Sequence, residues 1–236
     1  SSAASDVYKR QKFIYINYPN NPTGAVATKA FYEKLVAWAK TYEVGVVSDL
    51  AYGALGYQGY ENPSFLSTPG AKDVGIEFYT FSKTFNMAGW RLAFAAGNDQ
   101  MIEALNLIQD HLFVGIFPAL QEAGIAALLD PKSEEAVAQL NATYDGRRDA
   151  FVQAAAKIGW QAFPSRGSFY AWMPVPEGDT SESFADLLLE KAHVAVAPGK
   201  GFGPAGDAYV RIGLLVEPER LVEAVNRIAN LHLFNN

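Results

Sequence analysis

The segment EFYTFSKTFNMAGWR, residues 77–91, places a lysine at the end of an apolar, strand-like run. Hydroxyl side chains at Thr80 and Ser82 come just before Lys83, and Arg91 follows the lysine by eight residues. Two cations with hydroxyls between them favour a phosphate group as their ligand. A lysine beside a phosphate suggests a cofactor that is held both electrostatically and covalently.

Other polar side chains stand at the ends of apolar runs. Asn21 lies in the turn NNPTG, Asp49 closes the run VGVVSDL, and Tyr52 follows shortly after it. Ligands of open α/β sheets bind at the carboxyl ends of strands, so we expect Asn21, Asp49 and Lys83 to converge at one sheet edge. Each motif alone has an ordinary explanation as a turn or a helix cap. Together, an amide, a carboxylate, a phenol and a lysine are hard to explain by packing.

Arg211 lies inside the otherwise apolar segment YVRIGLLV. A charged side chain in such a strand needs a partner, which is either a bound anion or a carboxylate of the protein itself. The residue types alone leave both explanations open.

Hydrophobic periodicity outlines the elements that must position these residues. Thr28 is a good N-cap for a helix between strands at 13–18 and 44–50, a βαβ unit that predicts a parallel sheet. A third strand at 75–81 and a fourth at 91–97 are too close in sequence for a crossover helix, so the fourth should run antiparallel. We expect helices at 99–113, 118–129 and 133–158, then an α+β module with strands at 168–175, 194–199 and 208–216 and helices at 181–193 and 217–234.

Composition argues against several classes of function. The 236 residues carry a net charge of −6, which disfavours a broad nucleic-acid or anionic membrane surface. There is no cysteine, and the three histidines lack metal-ligand spacing, so we predict no metal site. No transmembrane run or signal peptide is recognisable. We therefore expect a cytoplasmic protein without nucleic-acid or membrane partners.

The segments NNPTG, SDLAYG, SKTFNMAGWR and YVRIGL resemble, in order and spacing, four signature segments of the class I/II aminotransferases. These are pyridoxal 5′-phosphate (PLP) enzymes of fold type I. The resemblance implies an α/β fold with a partial, mostly parallel sheet from the PLP-binding large domain over 13–148. An α+β small domain over 149–236 would follow, and residues 1–12 would be a non-native or disordered leader. Family topology implies the strand order fourth, third, first, second.

The resemblance also implies a role for each residue around the cofactor ring. Lys83 resembles the catalytic lysine that forms the Schiff base and then carries a proton between substrate and cofactor. Asp49 would be a buried carboxylate that keeps the pyridine nitrogen protonated. Tyr52 and Asn21 would hydrogen-bond the oxygen at position 3′ of the ring.

The resemblance also implies which residues bind the phosphate of PLP and the carboxylate of the substrate. Thr80, Ser82 and Arg91 would bind the phosphate of PLP, with Arg91 as a bidentate partner. Arg211 would bind the substrate α-carboxylate through its planar fork, assisted by Asn21.

Part of the family's site is not recognisable in this sequence. The phosphate-binding loop and the aromatic ring that stacks on PLP would lie upstream of Phe13. We therefore expect an N-terminally truncated chain that is inactive alone, and a homodimer when it is full length. We also expect the strand at 44–50 to lack a neighbour on one side and to form an exposed edge.

Several substrates and functions stay open. The chain is similar to the methionine aminotransferases of bacterial methionine salvage and to LL-diaminopimelate aminotransferases. The apolar segment LIQDHLFVGIFPALQEA favours the methionine substrate, with 4-methylthio-2-oxobutanoate as the oxo acid. Broad-specificity aromatic or alanine transaminases are a further alternative. A PLP-dependent C–S lyase, which yields pyruvate and ammonia without an acceptor, and the effector domain of a transcription regulator are the rival functions.

Overall fold

A computed structural model describes residues 11–112 and 114–234. Most of the proposed leader, and Phe113 at the end of a predicted helix, therefore lie outside the described residues. The chain divides into two compact units. Of the described residues, the first unit contains those up to Pro19, Ala27–Ala54 and Glu61–Val137. The second contains Asn20–Val26, Leu55–Tyr60 and those from Ala138 onward. The domain boundary between 148 and 149 stays a prediction.

The first unit is built on a four-stranded sheet. Its regular elements are β1 (Phe13–Asn17), α1 (Lys29–Tyr42), β2 (Gly45–Asp49), α2 (Ala71–Val74), β3 (Gly75–Thr80), α3 (Phe81–Thr84), β4 (Ala93–Gly97), α4 (Asp99–Leu112) and α5 (Pro118–Leu129). Short 3₁₀ turns lie at Phe65–Ser67 and Ala88–Trp90. The long helix α6 (Ser133–Lys157) begins in this unit and continues in the second.

The strands of this sheet follow their sequence order, β1-β2-β3-β4. β1, β2 and β3 are parallel, and β4 runs antiparallel to β3, as predicted. The predicted order fourth, third, first, second is wrong, because β2 hydrogen-bonds to both β1 and β3. The strand at 44–50 is therefore internal to the sheet, and β1 forms the edge that we had expected there.

Helix α1 forms where its cap and apolar stripe predict it. The Thr28 hydroxyl accepts a hydrogen bond from the Phe31 amide at 3.1 Å, and this satisfies one of the free amides of the first turn. Its buried face then repeats at helical spacing and packs against one face of β1 and β2. The buried residues of this cluster are Ala27, Tyr32, Leu35, Val36, Ala39, Val46, Phe65 and Ala71.

Successive side chains of the edge strand β1 point to opposite faces of the sheet. Ile14 and Ile16 are half-buried and pack on the α1 side of the sheet. Phe13 and Tyr15 point to the opposite side, where they are 50% and 75% exposed. They line a groove of about 400 Å³ together with apolar residues of α4. Exposed apolar side chains on the outermost of the described strands favour association with another chain.

The second unit contains a three-stranded antiparallel sheet in the order β5-β7-β6. Its elements are β5 (Tyr170–Pro174), α7 (Ser181–Leu187), a π-helical turn (Leu188–Ala192), β6 (Ala197–Pro198), 3₁₀ turns at Gly199–Phe202 and Pro204–Ala208, β7 (Tyr209–Gly213) and α8 (Pro218–Ala229). The predicted α+β module therefore forms, with shorter strands than its apolar runs suggested.

One face of this sheet carries the core of the second unit. Val210 and Ile212 of β7 are buried against α6, α7 and α8. Strand alternation turns Tyr209 and Arg211 to the opposite face. Trp160 anchors the end of α6 because it is 1% exposed and its indole N–H donates to the Pro174 carbonyl at 2.7 Å. Every helix within the described ranges falls short of the length and apolar character that a membrane span requires.

We expect the 236-residue chain, produced alone, to bind the dye ANS and to self-associate, because the apolar side chains of Phe13 and Tyr15 are exposed on the outermost described strand. The double variant Phe13→Thr, Tyr15→Lys should bind less dye and scatter less light. Tyr42→Lys, which removes an aromatic side chain that is 64% exposed on α1, is the matched control. A monodisperse chain that leaves ANS fluorescence unchanged would contradict this prediction.

Candidate active site

Strands β2 and β3 bring Asp49 and Lys83 to the same edge of the sheet in the first unit. The two strands are parallel, and Asp49 pairs with Phe78. β3 ends two residues later at Thr80, and Lys83 follows directly on α3. The carboxyl ends of parallel strands lie at one edge of a sheet. The Asp49 carboxylate and the Lys83 amine therefore lie at the same edge. Asn21 lies in the second unit, so its convergence with these two residues stays a prediction.

Asp49 is exposed, and the expectation of a buried carboxylate is wrong for this chain. Asp49 is the last residue of β2 and follows the buried residues Val46, Val47 and Ser48. Its Oδ1 accepts a hydrogen bond from the Ala51 amide at 3.0 Å. Its carbonyl accepts a second bond from the side-chain amide of Asn17 at 3.1 Å, which ties the ends of β1 and β2 together.

Lys83 lies near the phenol ring of Tyr52. The Lys83 Nζ atom is 6.0 Å from the centroid of the ring. Lys83 is half-buried, whereas Tyr52 is 5% exposed and therefore fixed. The loop that carries Tyr52 is closed by a hydrogen bond from the Asn62 side-chain amide to the Gly53 carbonyl at 3.2 Å. The predicted amine and phenol are thus neighbours.

Two of the three residues predicted to bind phosphate lie at the start of α3, and the third lies in the connection from α3 to β4. The Thr80 side chain caps this helix, and its hydroxyl lies 3.0 Å from the Ser82 hydroxyl. Thr80 also contacts the Leu92 carbonyl at 3.3 Å, which brings β3 next to the residue that follows Arg91. The exposed Arg91 has φ = 53° and donates to the Ala88 carbonyl at 2.9 Å. The two hydroxyls are therefore neighbours, and Arg91 precedes the residue whose carbonyl Thr80 contacts.

The buried carboxylate of Glu77 is a feature that the sequence analysis missed. Glu77 is 5% exposed in the middle of β3. Its carboxylate accepts hydrogen bonds from the Ser48 hydroxyl (3.0 Å), the Ser64 hydroxyl (2.5 Å) and the Phe65 amide (2.9 Å). It thus joins β2, β3 and the segment that returns from the Tyr52 loop. An acidic residue inside an apolar strand was the signal available in the sequence.

Tyr79 supports the short helix that carries Lys83. Its hydroxyl donates to the Thr84 hydroxyl at 2.8 Å. Burial raises the pKa of Tyr79, and the hydrogen bond with Thr84 offsets part of this rise. The phenol therefore stays protonated at neutral pH and keeps its hydrogen bond to α3.

In the second unit, the turn NNPTG holds Asn21. Gly24 has φ = 69°, a conformation that favours glycine, and a Cβ at this position would lie 2.0 Å from the Ser165 hydroxyl oxygen. The turn is closed by a hydrogen bond from the Gly24 amide to the Asn20 carbonyl at 2.8 Å. It is joined to the rest of the unit by a bond from the Arg166 amide to the Gly24 carbonyl at 3.2 Å.

A neighbouring segment of the second unit is fixed by Tyr57. Its hydroxyl donates to the Ser168 carbonyl, and its amide donates to the Arg166 carbonyl at 3.0 Å. Burial raises the pKa of Tyr57, so the buried phenol remains a hydrogen-bond donor. Tyr57 therefore anchors the same 165–168 segment on which the NNPTG turn rests.

Arg211 contacts Asn21 directly. Its Nη1 atom donates to the Asn21 Oδ1 atom at 2.8 Å. The guanidinium carbon lies 4.2 Å from the centroid of the Tyr170 ring and 4.7 Å from that of Phe202. Among the described residues, no Asp or Glu oxygen lies within 4.0 Å of this guanidinium. The structural ion pair that was the alternative explanation is therefore not observed in this part of the chain.

The donor set in the first unit fits PLP chemically. An amine, a carboxylate, a phenol, two hydroxyls and a guanidinium match the aldehyde, the ring nitrogen, the ring oxygen and the phosphate of that cofactor. All of these groups belong to the strand ends and loops at one edge of the sheet. Within the described residues, no cluster of three or more metal-ligating side chains competes with this assignment.

The family model for aminotransferase class I and II matches residues 2–228 of this sequence. The chain is 56% identical over 234 residues to the L-glutamine--4-(methylsulfanyl)-2-oxobutanoate aminotransferase of Bacillus subtilis, covering 99% of this chain and 58% of that protein. It is 48% identical over 224 residues to the LL-diaminopimelate aminotransferase of Moorella thermoacetica, covering 95% and 57%. The chain thus spans less than three fifths of these relatives.

Solved structures resemble the fold closely. Apo-BacF from Bacillus subtilis has a TM-score of 0.92 and 46% identity, over 98% of this chain and 59% of that one. An aminotransferase from Staphylococcus aureus has a TM-score of 0.93 and 40% identity, over 98% and 61%. These neighbours confirm the predicted α/β class of the fold type I aminotransferases.

We expect Glu77→Leu to lower the free energy of unfolding of the full-length protein by about 2–4 kcal/mol, because Ser48, Ser64 and the Phe65 amide lose their common acceptor. Glu77→Gln keeps an acceptor oxygen and should lose less than half as much. Urea unfolding measures both values. Glu33→Leu, at an exposed position of α1, is the control and should change stability by under about 0.5 kcal/mol. Equal losses at positions 77 and 33 would refute the role of Glu77.

Proposed function

Because this chain belongs to the class I and II aminotransferases, we propose that the full-length protein is a PLP-dependent transaminase. It would transfer an amino group between an L-amino acid and a 2-oxo acid. The observation that carries this proposal is the position of Lys83 beside Tyr52, at the sheet edge that also carries Asp49. The hydroxyls of Thr80 and Ser82 lie at the start of α3, the helix that carries Lys83.

The residues of the first unit would bind and orient the cofactor. When bound, PLP supplies an electron-accepting ring that stabilises negative charge at the substrate Cα atom. Asp49 would keep the pyridine nitrogen protonated, and Tyr52 would donate to the ring oxygen. Lys83 would carry the cofactor and move a proton with its Nζ atom. Tyr79 and Thr84 support this role because their hydrogen bond fixes the helix that bears the amine.

Thr80, Ser82 and Arg91 would bind the phosphate group. Hydroxyls and a guanidinium supply several charge-assisted hydrogen bonds, and the planar fork of Arg91 suits two phosphate oxygens at once. The cap formed by Thr80 supports this role, because it holds both hydroxyls at the start of α3.

Arg211 and Asn21 of the second unit would bind the substrate. Arg211 has no acidic partner within 4.0 Å among the described residues, so its charge is left for an external carboxylate. Asn21 fixes one nitrogen of the fork through a 2.8 Å hydrogen bond. The α-carboxylate of an amino acid is the planar anion that this arrangement would accept.

We propose methionine and 4-methylthio-2-oxobutanoate, or a similar pair, as the substrates. The relative at 56% identity is named for a 4-(methylsulfanyl)-2-oxobutanoate reaction. The apolar segment between α4 and α5 also supports this choice, since Leu112, Val114 and Phe117 are exposed. LL-diaminopimelate is the alternative, because several relatives above 40% identity carry that name. Assays of the full-length protein with each amino donor and a common 2-oxo acid decide between them.

The assembly and location of the protein are also proposals. A homodimer is what the family resemblance implies for the full-length protein, and a cytoplasmic location fits an enzyme of amino-acid metabolism. The exposed side chains of Leu107, Ile108 and Leu129 on α4 and α5 support an association surface in the first unit.

We expect the full-length protein to show an absorbance band at the edge of the visible range. Borohydride should remove this band and leave the cofactor attached after denaturation. Lys83→Ala should abolish the attachment, because it removes the amine beside Tyr52. Lys72→Ala, which changes an exposed lysine on α2, is the control and should behave as the parent. Attachment that survives Lys83→Ala would overturn the assignment.

Arg211→Lys should lower kcat/KM for L-methionine by roughly 30- to 150-fold, the equivalent of about 2–3 kcal/mol. Lysine keeps the charge but loses the planar fork that binds a carboxylate in two places. Cofactor content, measured from the absorbance band, should not change. Parallel loss of cofactor and activity would instead show that Arg211 has a structural role.

A further inference from the structure

The aromatic side chains around Arg211 come from two separate segments of the second unit. Tyr170 begins β5, and Phe202 ends the 3₁₀ turn Gly199–Phe202. Their ring centroids lie 4.2 and 4.7 Å from the guanidinium carbon. Both distances are within the range of a cation–π contact, which is about 6 Å. Arg211 is therefore held by two rings and by the Asn21 amide.

The turn that carries Phe202 is closely packed. A Cβ on Gly199 would lie 2.2 Å from the Gly206 carbonyl oxygen, and a Cβ on Gly206 would lie 2.1 Å from the Gly199 carbonyl oxygen. No other residue type fits these positions without moving the backbone. The backbones of the two 3₁₀ turns on either side of Gly203 therefore pack closely against each other. This packing fixes the backbone of Phe202, whose ring contacts Arg211.

Hydrogen bonds to α7 hold the same turn. The buried hydroxyl of Ser181 donates to Asp207 at 2.8 Å and accepts from the Lys200 amide at 3.1 Å. The Lys200 side chain also pairs with Glu182 at 2.5 Å. Both ends of the 199–208 segment are thus bonded to the first turn of α7. Phe202 therefore lies on a segment that hydrogen bonds hold in place.

We propose that Phe202 is a positioning residue of the carboxylate-binding site, and that its ring, with that of Tyr170, orients the Arg211 guanidinium for the substrate. This inference rests on the proposed role of Arg211 in binding the α-carboxylate. An acidic neighbour would also hold an arginine, but it would compete for the same N–H donors. Aromatic rings attract the cation and offer no oxygen acceptor to those donors.

The test compares a ligand that has the carboxylate with one that lacks it. We expect Phe202→Leu in the full-length holoprotein to weaken L-methionine binding by roughly 3- to 10-fold, the size of one cation–π contact. Binding of 3-(methylthio)propylamine, measured by the same calorimetric titration, should change less than roughly twofold. In steady state KM should rise more than kcat falls, and Phe202→Tyr, which restores the ring, should recover the parent values.

A double-mutant cycle with Arg211→Lys tests the coupling. Lysine lacks the flat guanidinium, so Phe202→Leu should have little further effect on L-methionine binding in that background. Phe163→Leu is the matched control, because Phe163 is 43% exposed in the same unit and Phe202 is 42% exposed. Phe202 is exposed enough that its replacement leaves no core cavity. Phe202→Met takes its place in the cycle if the leucine variant does not fold.

Two results would overturn the inference about Phe202 without affecting the proposed function. One is an equal effect of Phe202→Leu in both Arg211 backgrounds, and the other is an equal loss of affinity for the amine that lacks the carboxylate. If Arg211→Lys weakens L-methionine binding in these experiments, the proposed carboxylate site stands even when the inference about Phe202 fails. If Arg211→Lys leaves L-methionine binding unchanged, both the inference and the proposed carboxylate site fall.

Discussion

The pairing of β2 and β3, which places Asp49 and Lys83 at one edge of the sheet, depends on the buried carboxylate of Glu77. Burying a carboxylate costs several kcal/mol unless its oxygens find donors. Here the hydroxyls of Ser48 and Ser64 and the Phe65 amide are those donors, and each comes from a different part of the chain than β3. The bond from Ser48 forms when β2 pairs with β3 in the observed register, which sets Ser48 opposite Glu77. The same register brings both strand ends to one edge.

Local signals in the sequence were sufficient for most elements of the fold. Thr28 begins α1, and the short link between β3 and β4 makes them antiparallel, as predicted. The strand order was not predictable in this way. Parallel strands of similar apolar composition do not reveal locally which of them are neighbours, and the family order that we expected differs from the order observed. Asp49 was expected to be buried, but as the last residue of β2 it is exposed.

The residue types of the candidate site were readable from the sequence, whereas their supporting contacts were not. Alternation in YVRIG could have placed Arg211 on the face opposite Val210 and Ile212, since only every second residue of a strand faces the core. The rings of Tyr170 and Phe202 reach Arg211 through tertiary packing. Nothing near Arg211 in the sequence predicts them. Glu77 was visible as an acid in an apolar strand, but its partners Ser48 and Ser64 follow only from the fold.

The arginines of the second unit differ in what holds them. Arg147, Arg148 and Arg227 each pair with a carboxylate of the protein, which uses their donors internally. Arg211 is held by an amide oxygen and by aromatic rings, neither of which carries a negative charge. Its orientation is thus fixed without neutralising it. A guanidinium held in this way favours a planar anion over a neutral ligand, because only the anion gains both the charge and the paired hydrogen bonds.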